Sequence, residues 1–195
     1  DVTPDLKLVP QLATEWSVSE DGKTVDMTLR EGVVFHDGTP FDGEAVKANI
    51  ERSQTLEDSV RKSEVSSITE VEVVDPTHVR LRLSAPDAPL LAQLADRSGM
   101  MMSPAAFDDD FSAQPVCSGP FKFKNRVAQD KIELEKFADY WNADQIKVDA
   151  VSYLPIPDST VRLANLQSGD LDLINRLAAT DVEAVKSAGN LKYER

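Results

Sequence analysis

A mixed α/β fold is what this 195-residue sequence predicts, and three observations predict it. Apolar residues alternate with polar ones at period two through much of residues 12–137, the mark of half-buried strands. Turn segments carrying Gly, Pro and Asp cut those runs into hairpins. From residue 148 onward the rhythm changes to strand, helix, strand, helix, which argues for a parallel or mixed sheet with crossover helices. The first part is therefore antiparallel-rich and the last part α/β.

Leu12 to Val18 reads as a short strand, closed by the polar turn Ser19-Glu20-Asp21-Gly22-Lys23. In Thr24 to Arg30, Val25, Met27 and Leu29 face one way while Asp26, Thr28 and Arg30 face the other, a half-buried strand. After the turn Asp37-Gly38-Thr39-Pro40, Asp42 is placed to cap a helix carrying Val46 and Ile50, which runs to about Arg52. Residues 54–64 are polar and predict a loop with one helical turn. Val71 and Val73 lead into the turn Asp75-Pro76-Thr77-His78, and Val79, Leu81 and Leu83 return. Pro89 to Ala95 predicts a short helix. A second hairpin spans Phe121 to Phe137 around Ala128-Gln129-Asp130. Beyond it come a strand over 148–154, a helix over 158–167, a strand over 171–174, a helix over 181–188 and a strand beginning at Leu191. Gly169 stands where a helix C-terminus takes a left-handed residue, and Thr180 with Glu183 forms a capping box for the last helix.

Composition narrows the function. A hydrophobic content of 41% and a charged content of 28% are those of an ordinary globular chain. No apolar run approaches the roughly 20 residues of a membrane-spanning helix. There is no basic-then-apolar leader, but the sequence starts at Asp1 and a leader could have been removed. The net charge of −13 opposes nucleic-acid backbones and anionic lipid surfaces and keeps an exported protein soluble and monomeric. The single cysteine, Cys117, excludes an internal disulfide or a multi-cysteine zinc site. His36 and His78 lie too far apart in sequence to suggest a histidine-based metal centre, and no cofactor is implied.

Five phrases carry more than periodicity does. They are Leu8 to Trp16 followed by Ser19 to Thr24, Leu29 to Phe41, Ser118-Gly119-Pro120-Phe121, Asp139-Tyr140-Trp141, and Pro157 to Ile174. In this order and at about this spacing they are similar to motifs of the extracellular solute-binding proteins that deliver peptides, and sometimes nickel, to ABC importers. The resemblance spans essentially the whole chain. It implies a periplasmic-binding-protein-like class II lobe with a mixed sheet and an inserted antiparallel-rich subdomain. By resemblance, residues 1–18 and 118–195 belong to ligand-binding lobe I and residues 19–117 to its insert. Relatives of that class have about twice this length or more, so the second lobe is expected to be absent, and a first-lobe fragment should bind solute poorly. The resemblance also implies a periplasmic location, or an extracellular, membrane-tethered one, with a peptide or other small solute and a membrane permease as partners. Two departures stand out. Ala45 sits where a capping box often has an acidic residue, predicting a weaker helix start, and Cys117 stands where glycine is common, which makes a positive φ there doubtful.

Individual residues divide between binding and scaffold roles. Arg97 and Ser98 could meet a solute carboxylate or carbonyl, since arginine binds carboxylates through two parallel bonds; the alternative for Arg97 is a surface ion pair. Arg61 is a similar, weaker candidate. Met100-Met101-Met102 suits an adaptable apolar surface or a core strand, and Met100 is taken as a candidate. Ser118 and Gly119 either offer backbone groups to a ligand or turn the chain. Asn175 and Arg176 follow a predicted strand end, where α/β folds place ligands. His36 in its Phe-His-Asp-Gly turn favours a structural or exposed role, Cys117 a small buried thiol, and Asp108-Asp109-Asp110 a solvated acidic turn over a calcium loop. No nucleophile–base pair, paired acid or metal cluster is present in the sequence, so a binding protein is favoured over an enzyme such as a hydrolase, and over a ligand-free docking module.

Overall fold

The structure is a computed structural model in which residues 1–108 and 111–194 are described. Asp109 and Asp110, in the acidic run singled out above, lie outside the described residues. The chain divides into two compact units, one of Asp1–Asn125 and Glu133–Val151, the other of Arg126–Ile132 and Ser152–Arg195.

The first unit is built on a four-stranded antiparallel sheet. Strands β1 (Ala13–Val18), β2 (Thr24–Leu29), β3 (Ile68–Asp75) and β4 (His78–Leu83) stand in the order β1-β2-β4-β3. The alternation read from the sequence sorts their side chains. Val25, Leu29, Val71, Val79, Leu81 and Leu83 are buried on one face. On the other, Asp26 pairs in register with Arg80, Glu72 with Arg80 and Glu70 with Arg82. Arg80 Nε lies 2.7 Å from Asp26 and Arg82 reaches Glu72 at 2.6 Å, so the solvent face is a ladder of opposite charges.

Helix α1 (Gly43–Thr55) covers the apolar face with Ala45, Val46 and Ile50. Its start is capped as expected: the Asp42 carboxylate accepts the Ala45 N–H at 2.9 Å. Gly43 is dictated by packing, because a Cβ there would stand 2.8 Å from Val73 Cγ1. The helix outruns its predicted end at Arg52 and closes at Thr55. Gln54, in the segment expected to be a loop, donates to the carbonyls of Val65 and Ile68 at 2.9 and 2.7 Å. The helical turn in that stretch is a 3₁₀ turn over Lys62–Val65. The short helix α2 (Leu90–Leu94) buries Leu90 completely.

Segment 100–103 crosses the unit without becoming a strand. It makes one bridge, Met102 to Cys117, and side chains hold the rest. Asn49, 3% exposed in α1, donates to the Met102 carbonyl at 2.8 Å and accepts the Met102 N–H at 3.0 Å. Ser103, fully buried, donates to Asp37. A second sheet follows, with β5 (Phe121–Val127), β6 (Lys131–Lys136) and β7 (Ala150–Tyr153) in that order. Gln129 takes the left-handed conformation at the β5–β6 turn, φ 61°.

In the second unit, helix α3 (Ser159–Ser168) is capped by Asp158 and ends at Gly169 with φ 88°, as its sequence predicts. Helix α4 (Val182–Ser187) is present, but the Thr180 capping box is not. Residues 179–181 form a 3₁₀ turn, which turns the Thr180 hydroxyl to Asp181 at 3.2 Å. Segment 171–174 and the segment at Leu191 are not strands. A strand needs a neighbour to take its backbone donors and acceptors, and neither segment has one among the described residues. Leu173 is accordingly 78% exposed, and Val185 is the buried hydrophobic residue of this unit among the described residues. The mixed α/β class holds, while the crossover sheet expected after residue 148 is represented by β7, α3 and α4 alone.

Candidate functional site

Within the first unit, the apolar face of the sheet does not close completely. Met27 and Leu29 of β2, Leu81 of β4, Val46 and Ile50 of α1 and Leu94 of α2 border a cavity of about 530 Å³, within the range of small-molecule pockets. Aromatic side chains line it as well: Trp16, Tyr140 and Trp141. Trp141 is held from behind by Arg30, whose guanidinium lies 3.7 Å from the indole centroid, a cation–π contact. Arg30 also donates through Nε to the Gln11 carbonyl at 2.9 Å.

Two chain segments supply polar groups to the cavity: 95–101, represented by Asp96, Gly99 and Met100, and 117–120. In the first, α2 runs into a 3₁₀ turn over Arg97–Gly99. Gly99 is obligatory, since a Cβ would fall 1.8 Å from the Leu94 carbonyl oxygen. Ser98 is buried and donates to the Gln93 carbonyl at 2.6 Å. Met100 follows, 63% exposed, while Met101 enters the core. Arg97 points outward, with its side chain 63% exposed and Nε 3.7 Å from Asp96. An exposed pair of this kind is weak, so the guanidinium can change partner at little cost.

The second segment is fixed by His36. Its Nδ1 accepts the Cys117 N–H at 3.3 Å and its Nε2 lies 3.0 Å from the Gly119 carbonyl. Those partners require the neutral tautomer with the proton on Nε2, and burial lowers the histidine pKa in agreement. The ring also stands edge-on to Phe137, 5.0 Å between centroids. His36 is thus structural. Cys117 is half-buried, and burial pushes its thiol up to about 11, so it is neutral and unreactive at ordinary pH. Its φ is not positive.

Of the residues singled out from sequence, Met100, Ser118 and Gly119 meet at this cavity, and Arg97 and Ser98 belong to the turn that shapes it. Arg61 does not line it; the side chain is bound to Glu64 at 2.6 Å. Asn175 and Arg176 are exposed in the second unit, where the Arg176 carbonyl accepts from Arg162 at 3.3 Å and its φ is 56°. Sequence reasoning passed over Asp96, Gly99 and the aromatic wall. The available signal was that both tryptophans of the chain, Trp16 and Trp141, fall in the recurring phrases.

Among the described residues no group of histidine, cysteine or carboxylate side chains could hold a metal ion, and no helix is long and apolar enough to cross a membrane.

Residues 7–195 match the family of bacterial extracellular solute-binding proteins, family 5 Middle. The chain is 35% identical over 170 residues to the glutathione-binding protein GsiB of Salmonella paratyphi A, covering 85% of this chain and 33% of that protein. Among solved structures, the binding protein AgaA of A. tumefaciens R10, in complex with agropinic acid, superposes with a TM-score of 0.89. It is 32% identical, and the match covers 97% of this chain and 39% of AgaA. DppA of Helicobacter pylori, in complex with the peptide STSA, gives 0.80 at 28% identity over 94% of this chain and 41% of DppA. The chain therefore spans about a third of the curated relatives' length.

Proposed function

This chain belongs to the bacterial extracellular solute-binding proteins of family 5, and from that premise we propose that it is part of the solute-capturing component of an ABC importer. In this reading the protein works outside the cytoplasmic membrane, in a periplasm or tethered to the cell's outer face. It captures a small solute, hands it to the membrane permease, and does so as a monomer without catalysis. The work is done by closure: a ligand that binds the closed state better shifts the equilibrium toward it.

The observation that supports this reading most directly is the juxtaposition of segments 96–100 and 117–120 along one cavity. They present backbone groups, an adaptable methionine, and an arginine beside them held only by an exposed ion pair. Relatives bind glutathione, agropinic acid and a peptide, molecules that carry carboxylates. A small charged or zwitterionic solute with a peptide-like carboxylate is the class that Arg97 suits, with Met100 and Ser118–Gly119 beside it.

Isothermal titration of the full-length protein with glutathione, the dipeptide Met-Leu and the tetrapeptide STSA tests the proposal. Saturable one-to-one binding of any of these, weakened about tenfold or more by Arg97→Ala, is the expected result. Binding unaffected by Arg97→Ala would remove the arginine from the site. Absence of binding to all three would remove this solute class.

A further inference from the structure

Segment 117–120 is neither helix nor strand, yet its backbone is tied down, and three of the ties lead to one residue. The Cys117 carbonyl accepts the His36 N–H at 2.8 Å, the Cys117 N–H donates to His36 Nδ1 at 3.3 Å, and the Gly119 carbonyl lies 3.0 Å from His36 Nε2. Beyond them the Pro120 carbonyl accepts the Phe137 N–H at 2.9 Å. Between the tied groups, the Ser118 carbonyl and the Gly119 N–H are the two ends of one peptide group. Neither has a protein partner among the described residues. A Cβ on Gly119 would meet nothing within 4 Å, and its φ is not positive. Neither packing nor backbone strain calls for glycine there; the position leaves open space beside an unpaired peptide.

His36 stands on a turn that cannot yield. Phe35 beside it is fully buried, and the Asp37 carboxylate is held by the Ser103 hydroxyl at 2.5 Å and the Thr39 hydroxyl at 2.6 Å. The groups facing the ring are that carboxylate, the neutral Cys117 thiol, the Gly119 carbonyl, the edge of Phe137, and Lys122 of β5, which pairs with Glu135 of β6 at 3.1 Å. Burial opposes a second proton on the ring most strongly and Lys122 adds to it, while the Gly119 carbonyl and Asp37 favour it. That proton can sit only on Nδ1, where it meets the Cys117 N–H head-on. The turn holds the ring in place, so the segment gives way.

We propose that His36 is a positioning residue for solute capture: its neutral ring latches segment 117–120 so that the Ser118–Gly119 peptide is offered to the solute, and protonation opens the latch. This rests on the reading that solute lies against 117–120. Capture then weakens in an acidic medium with no change in the residues that touch the solute.

The test uses the full-length protein and two variants that do not titrate. His36→Gln keeps a donor for the Gly119 carbonyl, and His36→Asn keeps an acceptor for the Cys117 N–H; if one fails to fold, the other serves. Hydrogen exchange read by mass spectrometry, without solute and corrected for the intrinsic rate at each pH, gives the protection of the Cys117 amide at pH 7.5 and 5.0. Wild type should lose about fivefold or more, because the opened segment frees a histidine of ordinary pKa, and the variant should lose less than about twofold. Isothermal titration follows with whichever of glutathione, Met-Leu and STSA binds at pH 7.5. Over the same interval Kd should rise about threefold more in wild type than in the variant, a comparison in which titration of the solute itself cancels. Protection that does not change with pH in wild type, or that falls equally in wild type and variant, would overturn the latch. A latch that opens while affinity follows pH equally in both proteins would end its role in capture. If none of the three solutes binds, the proposed solute class fails, and exchange alone decides whether His36 holds the segment.

Discussion

His36 carries its ring between two backbone groups that leave no place for a second proton. Protonating Nδ1 would aim a donor at the Cys117 N–H that now donates to it. The native pKa lies below 6.5 because burial disfavours the imidazolium, so as pH falls the unfolded chain takes up the proton first. Stability is then fully present above about pH 6.5 and declines as pH drops toward the lowered native value. The urea midpoint of the first unit should therefore fall between pH 7.5 and 5.5, and fall less in His36→Gln. Equal losses in both proteins would exonerate the histidine. Glycine 99 offers a steric counterpart: Gly99→Ala places its methyl 1.8 Å from the Leu94 carbonyl oxygen, and the backbone shift should cost about 1–3 kcal/mol, read from urea melts.

At the scale of elements, two helix starts that look alike in sequence differ in structure. Asp42 holds a real cap on α1, so Asp42→Ala should cost about 1 kcal/mol. Thr180 caps nothing, and Thr180→Ala should stay within about 0.5 kcal/mol; a loss as large as that of Asp42→Ala would refute the assignment. The contrast also marks where sequence is a sufficient guide. Strands β1 to β4, both hairpins and α1 were legible because alternation and turn residues act locally and agree with one another. Leu171 to Ile174 carries the same apolar signal, yet a strand depends on a partner that the segment itself cannot specify. The candidate site was legible in pieces: Met100, Ser118 and Gly119 could be named, but only the fold brings them together over the Trp16 and Trp141 wall. Arg97 was balanced between ligand contact and ion pair, and the structure finds it in a weak exposed pair with Asp96.

Across the whole molecule, apolar burial is uneven. The first unit holds the main core, whereas the second leaves Tyr153 57% exposed, Val161 49% exposed and Leu173 78% exposed. Segments with little buried apolar surface open first. Limited proteolysis of the 195-residue chain, followed by mass spectrometry, should place the earliest cuts within 152–194 and leave 13–137 intact longer. Early cleavage inside the four-stranded sheet would contradict that ranking.

The side-chain ties between α1, the Asp37 turn and segments 102–103 and 117–119 join residues far apart along the chain. Asn49 reaches Met102 across 53 positions, Asp37 reaches Ser103 across 66, and His36 reaches Gly119 across 83. Each closes a long loop, whose entropic cost grows only slowly with length, but whose contacts come late because distant partners must first meet. The sheet of β1 to β4 and its helix can assemble from residues 13–83 as they emerge from a ribosome. The His36 tie waits for Gly119 and the Trp141 wall waits longer still, so the cavity takes shape only after the sheet it rests on.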